Sequence, residues 1–428
     1  MNTVSTGISP DEKGRVWVLT LNKQLQRKEQ QSLITGGGAR ITKRTALDRK
    51  KTDVYKLEMK KLFFMVFLIC FLLNFESFVL EHQKSSREGY QAKLRNEWLK
   101  KVPLPKYAVE LEWKFSFPSE DLIDKDIYFY GARSISSDSA ENIYVSDSKA
   151  HRVLKFNSSG NYLQQIGHKG KGPGEFSYGP FNVTFADNSL IVRDSGRIQS
   201  FDENGKYVKS FKLSKIYHDI VISDKGLILA APFSYTEQSH LIDVLSKEGE
   251  ILYSFGELKR FKHSQHYLNR VRLALTHHGE LLVAFVHFPI IRKYSIDGEF
   301  LLEFRIEHEA IKSQEKINQK RISAQKKAGI GFIEIITAIK TIRDSIYVLH
   351  TVPRIKIFEF DNDGKQKSQY WYTRPYGYSV TDFLIRNKAN EKLFYFLQVT
   401  PENKIEVFAP RHKGEKVSNF SGGGVFRP

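Results

Sequence analysis

One turn pattern recurs five times along the chain and constrains the fold more than any other feature. In each copy an apolar, alternating strand runs into a polar turn containing glycine, and a second short strand follows. Gly160, Gly205, Gly249, Gly298 and Gly364 mark the copies, spaced 45, 44, 49 and 66 residues apart. Hairpin turns of this kind require positive φ, which glycine adopts at no steric cost. Upstream of each copy lies another strand pair. Its second members are 143–145, 190–192, 227–229, 281–283 and 346–348, and 393–395 adds a sixth unit. Four strands per unit, repeated every ~40–50 residues, is the pattern of a β-propeller blade. The expected fold is therefore all-β: a six-bladed β-propeller of four-stranded antiparallel blades over residues 105–410.

The sixth unit supplies strands near 379–385, 391–399 and 404–409 but no outer strand. Tyr107–Phe117 reads as an orphan strand ahead of the first unit. Pairing it with Lys404–Phe408 closes the ring and removes two sheet edges. Residues 308–328 fall in the longest gap between turns. They hold six Lys/Arg against Glu309 and Glu315 and no aromatics, which predicts a helical insertion.

Composition narrows the function classes. Aromatics reach 13 %, as suits strands. The single cysteine, Cys70, excludes a disulfide framework and any multi-cysteine zinc site. The net charge is +18, yet no basic run is interleaved with stacking aromatics, so no nucleic-acid partner is expected.

A second feature bears on location. Met59, Lys60 and Lys61 precede an unbroken apolar run, Leu62–Leu73, which extends weakly to Leu80. A basic flank before a short apolar core is the layout of a signal peptide, and the longer version that of a membrane anchor. Residues 59–80 are expected to act as one or the other, with membrane contact through 62–80. The propeller then lies outside the cytoplasm, anchored or exported to the periplasm or beyond. Residues 1–58 form a basic extension resembling a partial blade, outside the mature protein if Met59 is the start. Residues 81–104 read as a linker and 411–428 as a flexible tail.

Two motifs carry a family resemblance. Asp147-Ser148-Lys149-Ala150-His151-Arg152-Val153 and the shorter Asp194-Ser195-Gly196-Arg197-Ile198 resemble the Asp…Arg-Val signature of NHL repeats. The stretch Gly167–Phe176, with Gly170, Gly172 and Gly174, resembles the Gly-rich connector of that family. It lacks the Lys-Ser/Thr ending and following helix of a phosphate loop. The chain thus resembles six-bladed NHL-repeat propellers of the exported bacterial kind. The resemblance implies that Asp147 and Arg152 form a structural link between strands.

No catalytic residue can be assigned. The innermost strands should begin near Arg133, Asn182, His218, Arg270, Glu334 and Asp382, bringing these side chains to the axis. Tyr235 and Tyr267 lie close in sequence. His287 and His350 read as equivalent places after the second strands of blades four and five, and His266 sits in an inter-blade loop. The expected ligand-binding set at the channel mouth is Arg133, Asn182, His218, Tyr235, His266, Arg270, His287, His350 and Asp382. A mixed, net-basic ring suits an anionic or sugar-like small molecule, a glycan or a peptide. The leading expectation is a non-catalytic binding or scaffold propeller without a cofactor. The alternative is a metal-dependent hydrolase or lyase at the channel mouth. NHL-type amidating lyases hold a metal at such a mouth, so the resemblance implies zinc or calcium for that alternative.

Overall fold

The computed structural model describes residues 108–411, except 237, 325–330, 353, 373–378, 389–390 and 401. The expected signal or anchor segment, the N-terminal extension, the linker and the tail lie outside the described residues. No helix among the described residues is long and apolar enough to cross a membrane.

Strands dominate. Blade 1 runs from Ala132–Ser137 through Ile143–Asp147 and Arg152–Phe156 to Tyr162–Ile166, each strand antiparallel to the next. Blades 2, 3 and 4 repeat this order from Asn182, Tyr217 and Val271. Blade 5 begins at Ala338, and blade 6 supplies Ser379–Lys388, Glu391–Thr400 and Lys404–Pro410. The first strand of each blade touches the first strand of the next, all the way from blade 6 back to blade 1. Those six strands line the axis.

The sixth blade takes its outer strand from the other end of the described chain. Ala108–Phe117 pairs antiparallel with Lys404–Pro410, Trp113 facing Phe408 and Phe117 facing Ile405. Its first residues do something the sequence pattern did not predict. Ala108, Val109 and Glu110 pair in parallel with Gln369, Tyr370 and Trp371 on the outer strand of blade 5. The strap thus joins the edges of two blades into one eight-stranded sheet.

The apolar interior is divided rather than single. Among the described residues six buried clusters occur, one in each junction between neighbouring blades. Successive side chains of a strand point to opposite faces. A second strand therefore feeds two junctions at once and is apolar throughout, as in Leu281–Phe285, where all five residues are buried.

The repeated glycines serve both the turn and the junction. Gly160 has φ +85°, and a Cβ there would stand 2.8 Å from the Phe117 ring. Gly298, at φ +92°, would likewise meet the Phe255 ring at 2.7 Å. Each turn backs onto the end of the preceding blade's outer strand. Phe117 fills that place for blade 1, which identifies the strap as the outer strand of blade 6.

The gap between blades 4 and 5 holds a helix, Glu309–Ser323. His308 caps it, its Nδ1 accepting from the Ala310 amide at 3.1 Å. The inner face is partly polar. Asn318 donates to the carbonyls of His287 and Ile333 and accepts from the Ile333 amide. Gln314 donates to Val352. The helix is thereby fastened over the loops that leave the second strands of blades 4 and 5.

Candidate functional site

A cavity of about 480 Å³ opens on the axis, where the innermost strands begin. Arg133, Arg193, Arg270, Arg272 and Lys340 reach its wall against Asp219, Glu334 and Asp382, so positive charge is in excess.

Two of the cations are already paired. Lys340 lies 3.0 Å from Asp382, and Arg270 lies 3.3 Å from Glu334. Asp382 also accepts from the Ile135 amide of blade 1 at 3.1 Å. Asp219 does the same for blade 4, accepting from Leu273 N, while its other oxygen takes its own neighbour, Ile220 N, each at 3.0 Å. Burial pushes the Asp219 carboxyl above the usual range, against the opposing pull of Arg272, Lys340 and Arg193. These carboxylates are largely spent on holding neighbouring blades together.

Other groups are not spent. Arg193 is only 7 % exposed, and its Nε has no hydrogen-bond partner among the described residues. Its guanidinium lies 5.6 Å from the centre of the Phe181 ring, and burial lowers its pKa. Arg272 donates Nε to Thr337 O at 2.8 Å and forms no ion pair among the described residues. Among the described residues, Arg133 reaches Ser148 Oγ alone, at 3.4 Å. Asn182 Oδ1 and Thr381 Oγ1 are buried and unpartnered among the described residues. Buried polar atoms normally find partners, so their concentration in one cavity marks a place built to receive something polar.

Five of the nine expected residues reach this wall: Arg133, Asn182, His218, Arg270 and Asp382. His218 is there as a junction residue. Its Nδ1 lies 2.9 Å from Pro232 O and its Nε2 2.9 Å from Val271 O of the next blade. Burial first, then Arg272 and Arg270, push it down to about 3, so it stays neutral.

The other four are absent from the cavity lining. Tyr235 turns into the junction of blades 3 and 4, its hydroxyl on Asn269 O at 3.3 Å. His266 is exposed on the short helix Gln265–Leu268. His287 is buried beside Tyr267 and Phe332, ring centres 4.6 and 5.9 Å away, with Nδ1 3.2 Å from Ile333 O. His350 is buried with Nδ1 on Ile335 O at 2.8 Å, and burial with Lys356 nearby pushes it down to about 3. Nor are these two histidines equivalent. Counting two residues on from the buried valines 283 and 348 reaches Phe285 and His350, and His287 stands two places further. Among the described residues, no group of three or more His, Cys, Asp or Glu is arranged to hold a metal ion.

The residues missed by sequence reasoning include Ser134, Asp219 and Thr381, and the cause is local. Register shifts at Ala132/Ser134, Tyr217/Asp219 and Val380/Asp382 interrupt the alternation at the strand starts. A bulge lets two consecutive side chains face one side. Arg133 with Ser134, His218 with Asp219 and Thr381 with Asp382 all line the cavity as pairs.

The two Asp…Arg motifs lie beside the site rather than in it. Asp147 is fully buried and accepts from Gly131 N at 2.7 Å and Tyr130 N at 2.9 Å, with Arg152 Nε at 3.6 Å. Asp194 takes Ser177 N, Tyr178 N and the Arg197 guanidinium in the same way. Arg197 also donates to the carbonyls of Lys171, Gly172 and Glu175, tying down the Gly-rich connector.

Comparison with known proteins bears on this architecture. A family described as a 6-bladed beta-propeller, DUF5128, matches residues 134–327. No curated protein matches the chain. Among solved structures, a candidate exported protein of Bacteroides fragilis is 14 % identical, with TM-score 0.47, over 72 % of this chain and 99 % of that one. A DUF4221-family member from Bacteroides vulgatus is 11 % identical, with TM-score 0.47, over 72 % and 98 %. A virginiamycin B lyase from Staphylococcus aureus, solved with quinupristin, is 13 % identical, with TM-score 0.44, over 71 % and 90 %. Such likenesses say nothing of ligand or chemistry. The chain is a six-bladed β-propeller whose blades are four-stranded and antiparallel.

Proposed function

We propose that this is a binding propeller of NHL-like kind, working outside the cytoplasm, whose ligand seats in the axial cavity. The carrying observation is the set of buried polar atoms without partners, Arg193 Nε, Asn182 Oδ1 and Thr381 Oγ1, around one polar cavity. Leaving a polar group buried and unpaired costs roughly 1–3 kcal/mol, and a ligand that pairs it recovers that cost as affinity. The Asp–Arg links of blades 1 and 2 support the NHL-like reading. The basic flank and apolar run at 60–73 support the location.

A thermal-shift screen of the full chain against small polar molecules tests the site. Hits that vanish in Asn182→Trp, which fills the cavity, support it. A screen in which no molecule stabilises the wild type more than this variant overturns it. Location is tested by fractionating cells. The propeller is expected in membrane or extracytoplasmic fractions, and in the cytoplasm once Leu62–Leu73 is deleted.

A further inference from the structure

Resting on the axial cavity as the ligand site, the geometry points to a small hydroxylated oxyanion as its occupant, of the sugar-acid or sugar-phosphate type. Its anionic group would meet Arg193 and Arg272, and its hydroxyls would meet Asn182 and Thr381.

The charge half of the inference comes from which cations are already engaged. Lys340 and Arg270 have carboxylate partners in the wall. Arg193 and Arg272 have none within ion-pair distance among the described residues. Both line the same cavity, the charge of Arg272 acts on Arg193, and both act on Asp219. Like charges are held in the same partly buried wall, and the carboxylate they both act on already accepts from Ile220 N and Leu273 N. A planar guanidinium presents paired donors that match carboxylate or phosphate oxygens. An oxyanion placed there relieves the repulsion and satisfies Arg193 Nε. Arg133, at the exposed edge, adds attraction on approach.

The hydroxyl half comes from the neutral groups. Asn182 offers an amide that both donates and accepts, and Thr381 a hydroxyl that does the same. Among the described residues Asn182 Oδ1 and Thr381 Oγ1 are unpartnered, and an oxyanion alone, which only accepts, leaves the Asn182 oxygen unpaired. Sugar hydroxyls, which donate and accept in turn, match them. A cavity of about 480 Å³ holds a monosaccharide-sized molecule with some water.

The test is calorimetric titration of the full chain, at fixed ionic strength, with D-glucuronate, glucose 6-phosphate, glucose, glucosamine and sulfate. Glucuronate or glucose 6-phosphate should bind at least tenfold more tightly than glucose, with glucosamine weakest. The better of the two identifies carboxylate or phosphate as the anion. Arg272→Gln should weaken that binding tenfold or more. Arg133→Gln, at an exposed position where folding is not at stake, should weaken it severalfold and reduce its salt dependence. Glucose binding as well as the charged sugars, or Arg272→Gln and Arg133→Gln both without effect, overturns the anionic half. Sulfate binding as tightly as the sugars overturns the hydroxyl half. No binding by any of the five overturns the inference entirely. The binding-propeller reading still stands if the wider screen yields neutral or cationic hits that Asn182→Trp abolishes.

Discussion

Blades 1 and 2 hold their entry loops with a buried aspartate, and blades 4 and 5 meet the same need by other means. In blade 1 Asp147 receives two loop amides, and in blade 2 Asp194 does the same. The matching place in blade 5 is His350, which donates to a loop carbonyl, that of Ile335. In blade 4 it is Phe285, and the loop is held instead by Asn269, which bonds the amide and carbonyl of Lys259. Where the loop presents N–H groups the pin must accept, and where it presents C=O the pin must donate. The geometry persists while the residue type changes, which is why the Asp…Arg signature fades along the chain although the blades do not.

The largest effect should come from the aspartate pins. Asp147→Ala leaves the Tyr130 and Gly131 amides without their acceptor and removes the buried carboxylate beside Arg152. About 3–5 kcal/mol should be lost. In a domain of this size the thermal midpoint should fall by about 10 °C. A loss below about 1 kcal/mol would show that the loop is held by something else and break the comparison.

Next comes pH. His350 is pushed down to about 3 by burial, and so is His218, while His308 is pushed to about 4. All three fall from an ordinary value of 6.5 in the unfolded chain. The neutral ring is the folded form, so the unfolded chain binds more protons once the pH drops below 6.5. Their stabilisation is present above that value and is lost as pH falls toward 4 and then 3. From pH 7 to 5, His350 alone accounts for up to about 2 kcal/mol. His350→Gln, which still donates to Ile335 O, should flatten the slope by that amount. Equal slopes for wild type and variant would remove His350 from the account.

Lys356 sharpens the contrast in the opposite direction. It pairs with His350 across the strands, is 3 % exposed, and has no acidic partner among the described residues. Burial, aided by Arg354, pushes it down to about 7. Lys356→Met should therefore raise stability, by about 2 kcal/mol, since a buried unpaired base opposes folding. A lowered midpoint would mean that the amine has a partner the protein needs.

The smallest effect belongs to blade 2. Arg197→Lys keeps the charge beside Asp194 but loses the fork that also holds the connector. About 1 kcal/mol should be lost, visible as faster proteolysis near 167–176. Unchanged cleavage would separate the connector from the pin.

How much was legible follows from the same contrast. Gly160, Gly205 and their three counterparts marked five of the six blades because their φ is dictated locally. The strap was legible because the sixth unit lacked a strand and Tyr107–Phe117 had no other partner. Its parallel pairing with Gln369–Trp371 left no sequence mark, since backbone hydrogen bonds do not choose side chains. At the site, Arg133, Asn182, His218, Arg270 and Asp382 were found by strand position alone. Arg193 and Arg272 were not, because one comes from a second strand and the other from beyond a strand start.

By itself, then, the sequence determined the number of blades, their strand order, the closing strap and the apolar run at 62–73. All of these rest on local signals: a glycine that must turn, an alternation that must face two ways, a hydrophobic stretch of fixed length. Only the tertiary structure decided which side chains meet on the axis and which of them are already paired. Six strands from distant parts of the chain converge there, and a bulge of one residue at a strand start changes which side chain faces the cavity. Periodicity does not register that shift, because it is set by the contact between one blade and the next.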